Sequence, residues 1–304
     1  MSDTPTMNWL RRRLGNFTVP AVLAYLVATT AFLVWRGISV SPDYFVFLLL
    51  FGAIILGRWR EFILDWMPFI AVLLGYEFLR GLAGSSGIAV HYSEVISADR
   101  LLGLGNIPTI WLQQHLYNPG QVSPLDYAAT FVYFLHFAFP LTLGYAFWLY
   151  DRSLFRRFAA ALLLMSFGCF VFFLLVPVAP PWLASQHGYL PHVQKIISST
   201  IPSQTTWFYQ HLNPNPVAAF PSLHQAFPVL GLLYGLRLFG RRAWPLGLYC
   251  LAVCFSIVYL GEHYLIDAIG GVVVAFVAYA VVETVSARLG RAQAGLQVST
   301  VEPA

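Results

Sequence analysis

Charge is scarce in this sequence. Asp, Glu, Lys and Arg make up 10% of its 304 residues, against 58% hydrophobic and 16% aromatic. That balance excludes an ordinary soluble protein and points to an all-α chain that crosses a membrane many times. Lysine is almost absent, Lys195 standing alone beside sixteen arginines. Cysteine is rare too: Cys169, Cys250 and Cys254 lie in apolar stretches, without metal-ligand spacing or an even count for a disulfide framework, and read as core residues. No small-residue cleavage site follows "MSDTPTMNWLRRRLGN", so the first apolar segment reads as a retained span rather than a removed signal peptide. Internal repeats, low-complexity runs and interdomain linkers are also missing.

Long apolar segments are what the chain has in quantity. A helix needs about 20 mostly apolar residues to cross the hydrocarbon core, and about eight segments come close: 19–36, 43–57, 66–83, 126–149, 158–178, 222–240, 243–260 and 264–285. The stretch 58–66, "RWREFILDW", reads as an interfacial turn of helix. The net charge of +4 sits in small basic groups between these segments, which suits a membrane surface and argues against nucleic acid. With the N-terminus in the cytoplasm, thirteen basic residues fall inside, and only Arg36, Arg80, Arg100 and Lys195 fall outside. Both termini are therefore expected in the cytoplasm. Two long external loops remain, 84–125 and 179–221, the first carrying an aromatic interfacial helix in "GNIPTIWLQQHLY". The organisation expected is N-terminal spans and an external loop over 1–125, a helical core over 126–287 and a cytoplasmic tail over 288–304.

All eight histidines fall on the outer side of this topology or in the outer half of a span. His224, behind Pro221 and Ser222 in "FPSLHQAF", lies at the outer mouth of the sixth span, and His263, in "GEHYLID", at the outer mouth of the eighth. Both occupy helix N-termini at one membrane depth, where unpaired N–H groups and the helix dipole favour a phosphate. Asp267, four residues after His263, is expected one helical turn deeper on the same face. A carboxylate there needs a partner. If it accepts the proton of one ring nitrogen of His263, the other nitrogen is left as a nucleophile. His224 then protonates the leaving oxygen, and the chemistry is phosphoryl transfer through a phosphohistidine. An interfacial histidine beside a structural carboxylate is the competing reading of the His263 and Asp267 spacing alone.

"PSLH" at 221–224, with Ser256 and "HYLID" at 263–267, resembles the last two signatures of the type-2 phosphatidic acid phosphatase superfamily, Pro-Ser-x-His and Ser-Arg-x5-His-x3-Asp. The resemblance spans about 126–285. It implies the superfamily's six-helix core, with His263 as nucleophile, Asp267 as its orienter, His224 as general acid and no metal or other cofactor. Two cations of the superfamily pattern are missing: no Lys-x6-Arg-Pro segment precedes "PSLH", and Ile257 follows Ser256 where arginine is expected. Leu223 also replaces the frequent glycine. These departures, with Tyr264 after His263 and added N-terminal spans, look like the branch of inositol phosphorylceramide and sphingomyelin synthases. That branch moves a phospho-alcohol head group between lipids.

The phosphate or head group is expected to meet Ser222, Arg80, Arg100 and His136. Arg80, in "YEFLRG" with Glu77 one turn away, is the first substitute for the missing cations, although an interfacial arginine that snorkels or pairs with Glu77 is the plainer reading. Arg100 beside Asp99 is second, against simple surface solvation, and Lys195 ranks below it. His136, in "FLHFAFP", is either a packed core histidine or a head-group contact. Glu262 carries no expected role. The function expected is a head-group phosphotransferase at the outer leaflet, with a phospholipid donor and a lipid or other alcohol acceptor. With water as acceptor the same site becomes a lipid phosphatase. A transporter is disfavoured, because its polar groups would sit at the midplane of broken helices rather than at one surface.

Overall fold

The computed structural model describes residues 42–83, 87–201 and 215–299, and among these every regular element is helical. The first expected span, 19–36, lies outside the described residues. Helix α1 is Pro42–Ile55, followed by α2, Trp59–Ala83. The stretch expected as an interfacial turn and the third expected span thus form one helix. Phe62, Trp66, Phe69 and Ile70 are buried along one stripe, and that 3.6-residue period carries the helix through Pro68.

Helix α3, Ser93–Leu102, and α4, Pro108–Leu116, belong to the first long loop. Helix α5, Pro124–Tyr150, opens with a reciprocal cap. Ser123 Oγ accepts from Asp126 N, and Asp126 Oδ2 accepts from Ser123 N at 2.7 Å. Its halves, Pro124–His136 and Ala138–Tyr150, meet at 51°. Pro140 explains the bend, because it offers no N–H to the carbonyl of His136 and its ring presses on that carbonyl. Helix α6, Arg152–Leu175, starts on Asp151, whose side chain accepts from Ser153 N and Leu154 N. The second loop contributes α7, Pro181–Gln186, and α8, Ile197–Thr200. Helix α9, Leu223–Phe239, turns through a 3-10 segment at Gly240–Ala243 into α10, Trp244–Tyr259, and α11 is Leu265–Ser299.

Among the described residues, length and composition qualify Arg152–Leu175, Leu223–Tyr259 and Leu265–Ala292 to cross a membrane, with bent α5 as a fourth. Leu223–Tyr259 folds back on itself. Gly240 adopts φ 57 and ψ −138, and Gln225 Nε2 donates to Cys250 O across the hairpin. Its two arms have 17 and 16 residues, and α1 has 14. At 1.5 Å per residue these reach roughly 21–26 Å, short of the ~30 Å hydrocarbon core. Seven of the eight expected segments fall among the described residues, and length and composition qualify three helices there, or four with bent α5. Helix α11 also runs past residue 287 into the stretch expected as a tail.

The outer face of α11 is apolar and exposed at Val273, Phe276, Val277, Val281 and Val285, a stripe suited to lipid. Charges gather at one end of the bundle. Arg152 Nε meets Asp65 Oδ2 at 2.6 Å, Arg58 pairs with Glu61, and Arg157 and Arg237 both pair with Glu283. At the other end of α6, roughly 36 Å away, the two long loops join. Val178 donates to Val217 O, Ala219 to Val178 O, and His91 to Pro177 O.

Candidate active site

His224 enters from the first turn of α9, just after the cis peptide between Phe220 and Pro221. His263 lies in the short link between α10 and α11. Gly261, at φ 79, makes that turn, and a side chain there would bring a Cβ to 2.9 Å from Gln194 O. The two rings meet with His224 Nδ1 3.1 Å from His263 Nε2.

The other nitrogen of His263, Nδ1, lies 3.0 Å from Ala219 O and 3.5 Å from Asp267 Oδ2. A carbonyl oxygen only accepts, so Nδ1 carries the proton, and in the neutral ring Nε2 holds the lone pair. His224 Nδ1–H then donates to that lone pair. Asp267 is fully buried, but it is not the helical-face partner that the four-residue spacing suggests. His263 precedes α11, and Asp267 caps the helix, accepting from Tyr264 N at 2.8 Å with the same oxygen that faces His263. Ser222 N donates to Asp267 O at 3.0 Å and ties α9 to α11. The helices approach closely at Gly271, where a Cβ would stand 2.3 Å from Ser222 O.

His136 is brought to the same place by the bend in α5. Its ring centroid lies 4.1 Å from that of His224, and it stacks on Phe227 at 4.9 Å. Tyr133, one turn earlier on the same face, stacks on His224 at 4.4 Å. Sequence reasoning missed Tyr133, although its i, i+3 relation to His136 places both on one face. These rings, with Glu262 and His263, line a cavity of about 90 Å³, room for several waters or a phosphoryl group. Among the described residues its lining contains no arginine or lysine.

The remaining candidates are placed elsewhere. Ser222 is fully buried and does not line the cavity, and its hydroxyl has no hydrogen-bond partner among the described residues. Arg100 is exposed at the end of α3 and is also absent from the lining, because its neighbour Asp99 turns inward instead. Arg80 lies in α2, but its side chain, like that of Glu77, lies outside the described residues. Among the described residues no group of three or more His, Cys, Asp or Glu is arranged to hold a metal ion.

Asp99 was not expected to matter. It is fully buried, and its Oδ1 accepts from Ile266 N in the first turn of α11 at 3.1 Å. Burial, partly offset by that bond, pushes its carboxyl up to about 6, with the neighbouring Asp267 adding to the rise. The outer helix α3 is thereby docked on the start of α11, beside His263. Glu262 was also passed over, yet it is 5% exposed at the cavity wall, with Lys195 Nζ 3.8 Å from its carboxylate.

A family model described as the PAP2 superfamily matches residues 93–281, more than half of the chain. The match takes in the loop helices α3 and α4 ahead of residue 126. An inositol phosphorylceramide synthase of Candida albicans is 28% identical over 152 residues, 45% of this chain and 31% of that protein. A phosphoinositol dihydroceramide synthase of Bacteroides thetaiotaomicron is 29% identical over 143 residues, 40% of this chain and 43% of that protein. The Schizosaccharomyces pombe inositol phosphorylceramide synthase catalytic subunit aur1 is 28% identical over 112 residues, 34% of this chain and 26% of that protein. The chain thus spans less than half the length of each of these relatives. No solved structure matches.

Proposed function

The chain belongs to the PAP2 superfamily, and from that premise we propose that it is a multi-pass membrane enzyme that moves a phospho-head group from a phospholipid donor to a lipid alcohol acceptor. Phosphoinositol is the head group we favour, since relatives named as an inositol phosphorylceramide synthase and a phosphoinositol dihydroceramide synthase align with it. The observation that carries the mechanism is the contact between His263 Nε2 and His224 Nδ1, with the proton of His263 held on Nδ1 by Ala219 O.

The steps follow from that geometry. His224 first swings off Nε2 to admit the phosphodiester. The Nε2 lone pair attacks phosphorus, the bond from phosphorus to the diacylglycerol oxygen breaks, and that oxygen takes one proton from His224, which acts as an imidazolium and is left neutral. His263 now carries the phospho-head group, and its positive charge is balanced by Asp267. An acceptor hydroxyl then gives its proton to His224 and attacks phosphorus. The bond from phosphorus to nitrogen breaks, and free His263 returns with the new lipid. His136 and Tyr133 both pack against the ring of His224 and limit its swing.

Residues 126–287 form the catalytic core in this reading, built on α5, α6, α9, α10 and α11, with 1–125 and 288–304 appended. The site faces outward at a cell membrane and both termini are cytoplasmic. The ion pairs gathered at the opposite end of the bundle support that orientation. The test is product analysis with the purified protein in vesicles containing head-group-labelled phosphatidylinositol and ceramide. Transfer yields a labelled phosphoryl-ceramide, and His263→Ala abolishes it while the protein stays folded.

A further inference from the structure

His263 stands on the short link 260–264 between α10 and α11. Its ring has to meet two marks at once, Ala219 O at 3.0 Å and His224 Nδ1 at 3.1 Å, so the link must be fixed at both ends. A helix cannot bond its last carbonyls or its first amides within itself, and here side chains of the first outer loop take one such group at each end. At the α10 end, Gln113 of α4 donates from Nε2 to Tyr259 O at 2.9 Å. The rest of its amide is used on the second outer loop: Nε2 also donates to Gln194 O, and Oε1 accepts from Gln194 N, each at 2.9 Å. At the α11 end, Asp99 of α3 accepts from Ile266 N with Oδ1 at 3.1 Å, which puts a carboxylate at the positive end of the helix dipole. Gln113 and Asp99 are both buried, and neither is among the described residues that line the cavity.

We propose that Gln113 and Asp99 are positioning residues for the nucleophile, which makes the first outer loop a working part of the site alongside the helical core. The proposal rests on the phosphotransfer reading above. Both side chains act through His263 and touch no substrate. Loss of either bond frees one end of the link and moves Nε2 off the line to phosphorus. A misplacement of about 1 Å at the reacting atoms costs on the order of 100-fold in rate, while a cavity with an unchanged lining binds the donor as before. The rate constant therefore falls and KM does not. The ring proton reports the same shift, because it stays on Nδ1 only while Ala219 O is within reach. The second outer loop holds the link through backbone alone, Trp182 N donating to Gly261 O and Ile196 N to Leu260 O. Those bonds remain when Gln113 or Asp99 is replaced and keep the link folded.

The test compares wild type, Asp99→Leu, Asp99→Asn and Gln113→Met in two assays. One measures kcat and KM for phosphatidylinositol in vesicles with ceramide as acceptor. The other is nitrogen NMR of the histidine rings in detergent, with His263 assigned by its absence from His263→Ala. Asp99→Leu and Gln113→Met are expected to lower kcat by about tenfold to a hundredfold while KM stays within about threefold, and to turn the Nδ1-protonated signal of His263 into a mixture of tautomers. Asp99→Asn keeps an oxygen that accepts from Ile266 N and should restore both readings. A folded Asp99→Leu or Gln113→Met with wild-type kcat overturns the proposal, as does a loss of kcat with the His263 signal unmoved, since the residue is then structural only. An Asp99→Asn protein as slow as Asp99→Leu overturns it for Asp99. Absence of any lipid product from the wild type overturns the function, and the NMR comparison then still decides whether these side chains set the ring. Should Asp99→Leu not fold, Gln113→Met reads the same quantities.

Discussion

Replacing Asp267 with asparagine separates the two duties that its carboxylate performs. Oδ2 caps α11 through Tyr264 N at 2.8 Å and faces His263 Nδ1 at 3.5 Å. The amide oxygen of Asn can take the place of Oδ2 and keep the cap, so Asp267→Asn keeps the geometry and removes only the charge. In the proposed reaction His263 becomes phosphorylated and its ring cationic. At 3.5 Å and an effective dielectric of about 20, a unit charge pair is worth about 5 kcal/mol. Relaxation and the second contact, from Ala219 O, leave roughly 2–4 kcal/mol of that to be lost, a fall of roughly 30- to 1000-fold in kcat. The assay is turnover of labelled phosphatidylinositol with ceramide in vesicles, alongside thermal melting in detergent to show that the variant folds. A folded Asp267→Asn protein within about threefold of wild-type kcat refutes the reasoning, because the carboxylate is then a helix cap alone.

Two further outcomes follow from the packing around the site. Asp99 holds its proton to about pH 6 in the folded protein against an ordinary value of 3.8, so the folded chain binds a proton that the unfolded chain has lost between those values. Stability should therefore fall as pH rises through that window, by at most about 3 kcal/mol, and Asp99→Asn should flatten the slope and raise Tm above pH 6. Melting curves of the two proteins with the same slope from pH 4 to 6 contradict this. Gly271→Ala puts a Cβ 2.3 Å from the backbone oxygen of Ser222, which cannot rotate away. It should cost about 1–3 kcal/mol, read as a lowered Tm with a parallel loss of turnover, and an unchanged Tm contradicts the close approach.

The helical class and the pairing of His224 with His263 were legible because they rest on local pattern: long apolar runs, and histidines just ahead of them at the same end of the bundle. The role of Asp267 was only half legible. Its spacing from His263 suggested a shared helical face, whereas the turn at Gly261 leaves His263 outside the helix and makes the aspartate a cap. Asp99 left no trace in the sequence, because its partner is a backbone amide 167 residues away and a lone loop carboxylate has no periodicity. Glu262 looked like a bystander for a related reason: the lysine that balances it comes from another loop, held there by Gln113. Arg100 stood out as a scarce external cation, but a charge without a built partner stays at the surface. The break between the apolar segments at 222–240 and 243–260 was legible, and it falls where Gly240 turns the chain between two short arms.

The most direct test of the central claim is the covalent intermediate. Purified protein in vesicles is given head-group-labelled phosphatidylinositol without acceptor, quenched at alkaline pH and digested for mass spectrometry. The account predicts phosphoinositol on the peptide containing His263, its absence in His263→Ala, and its discharge into a new lipid when ceramide is added. Label that never appears on His263 while the wild type turns over, or that persists in His263→Ala, would contradict it.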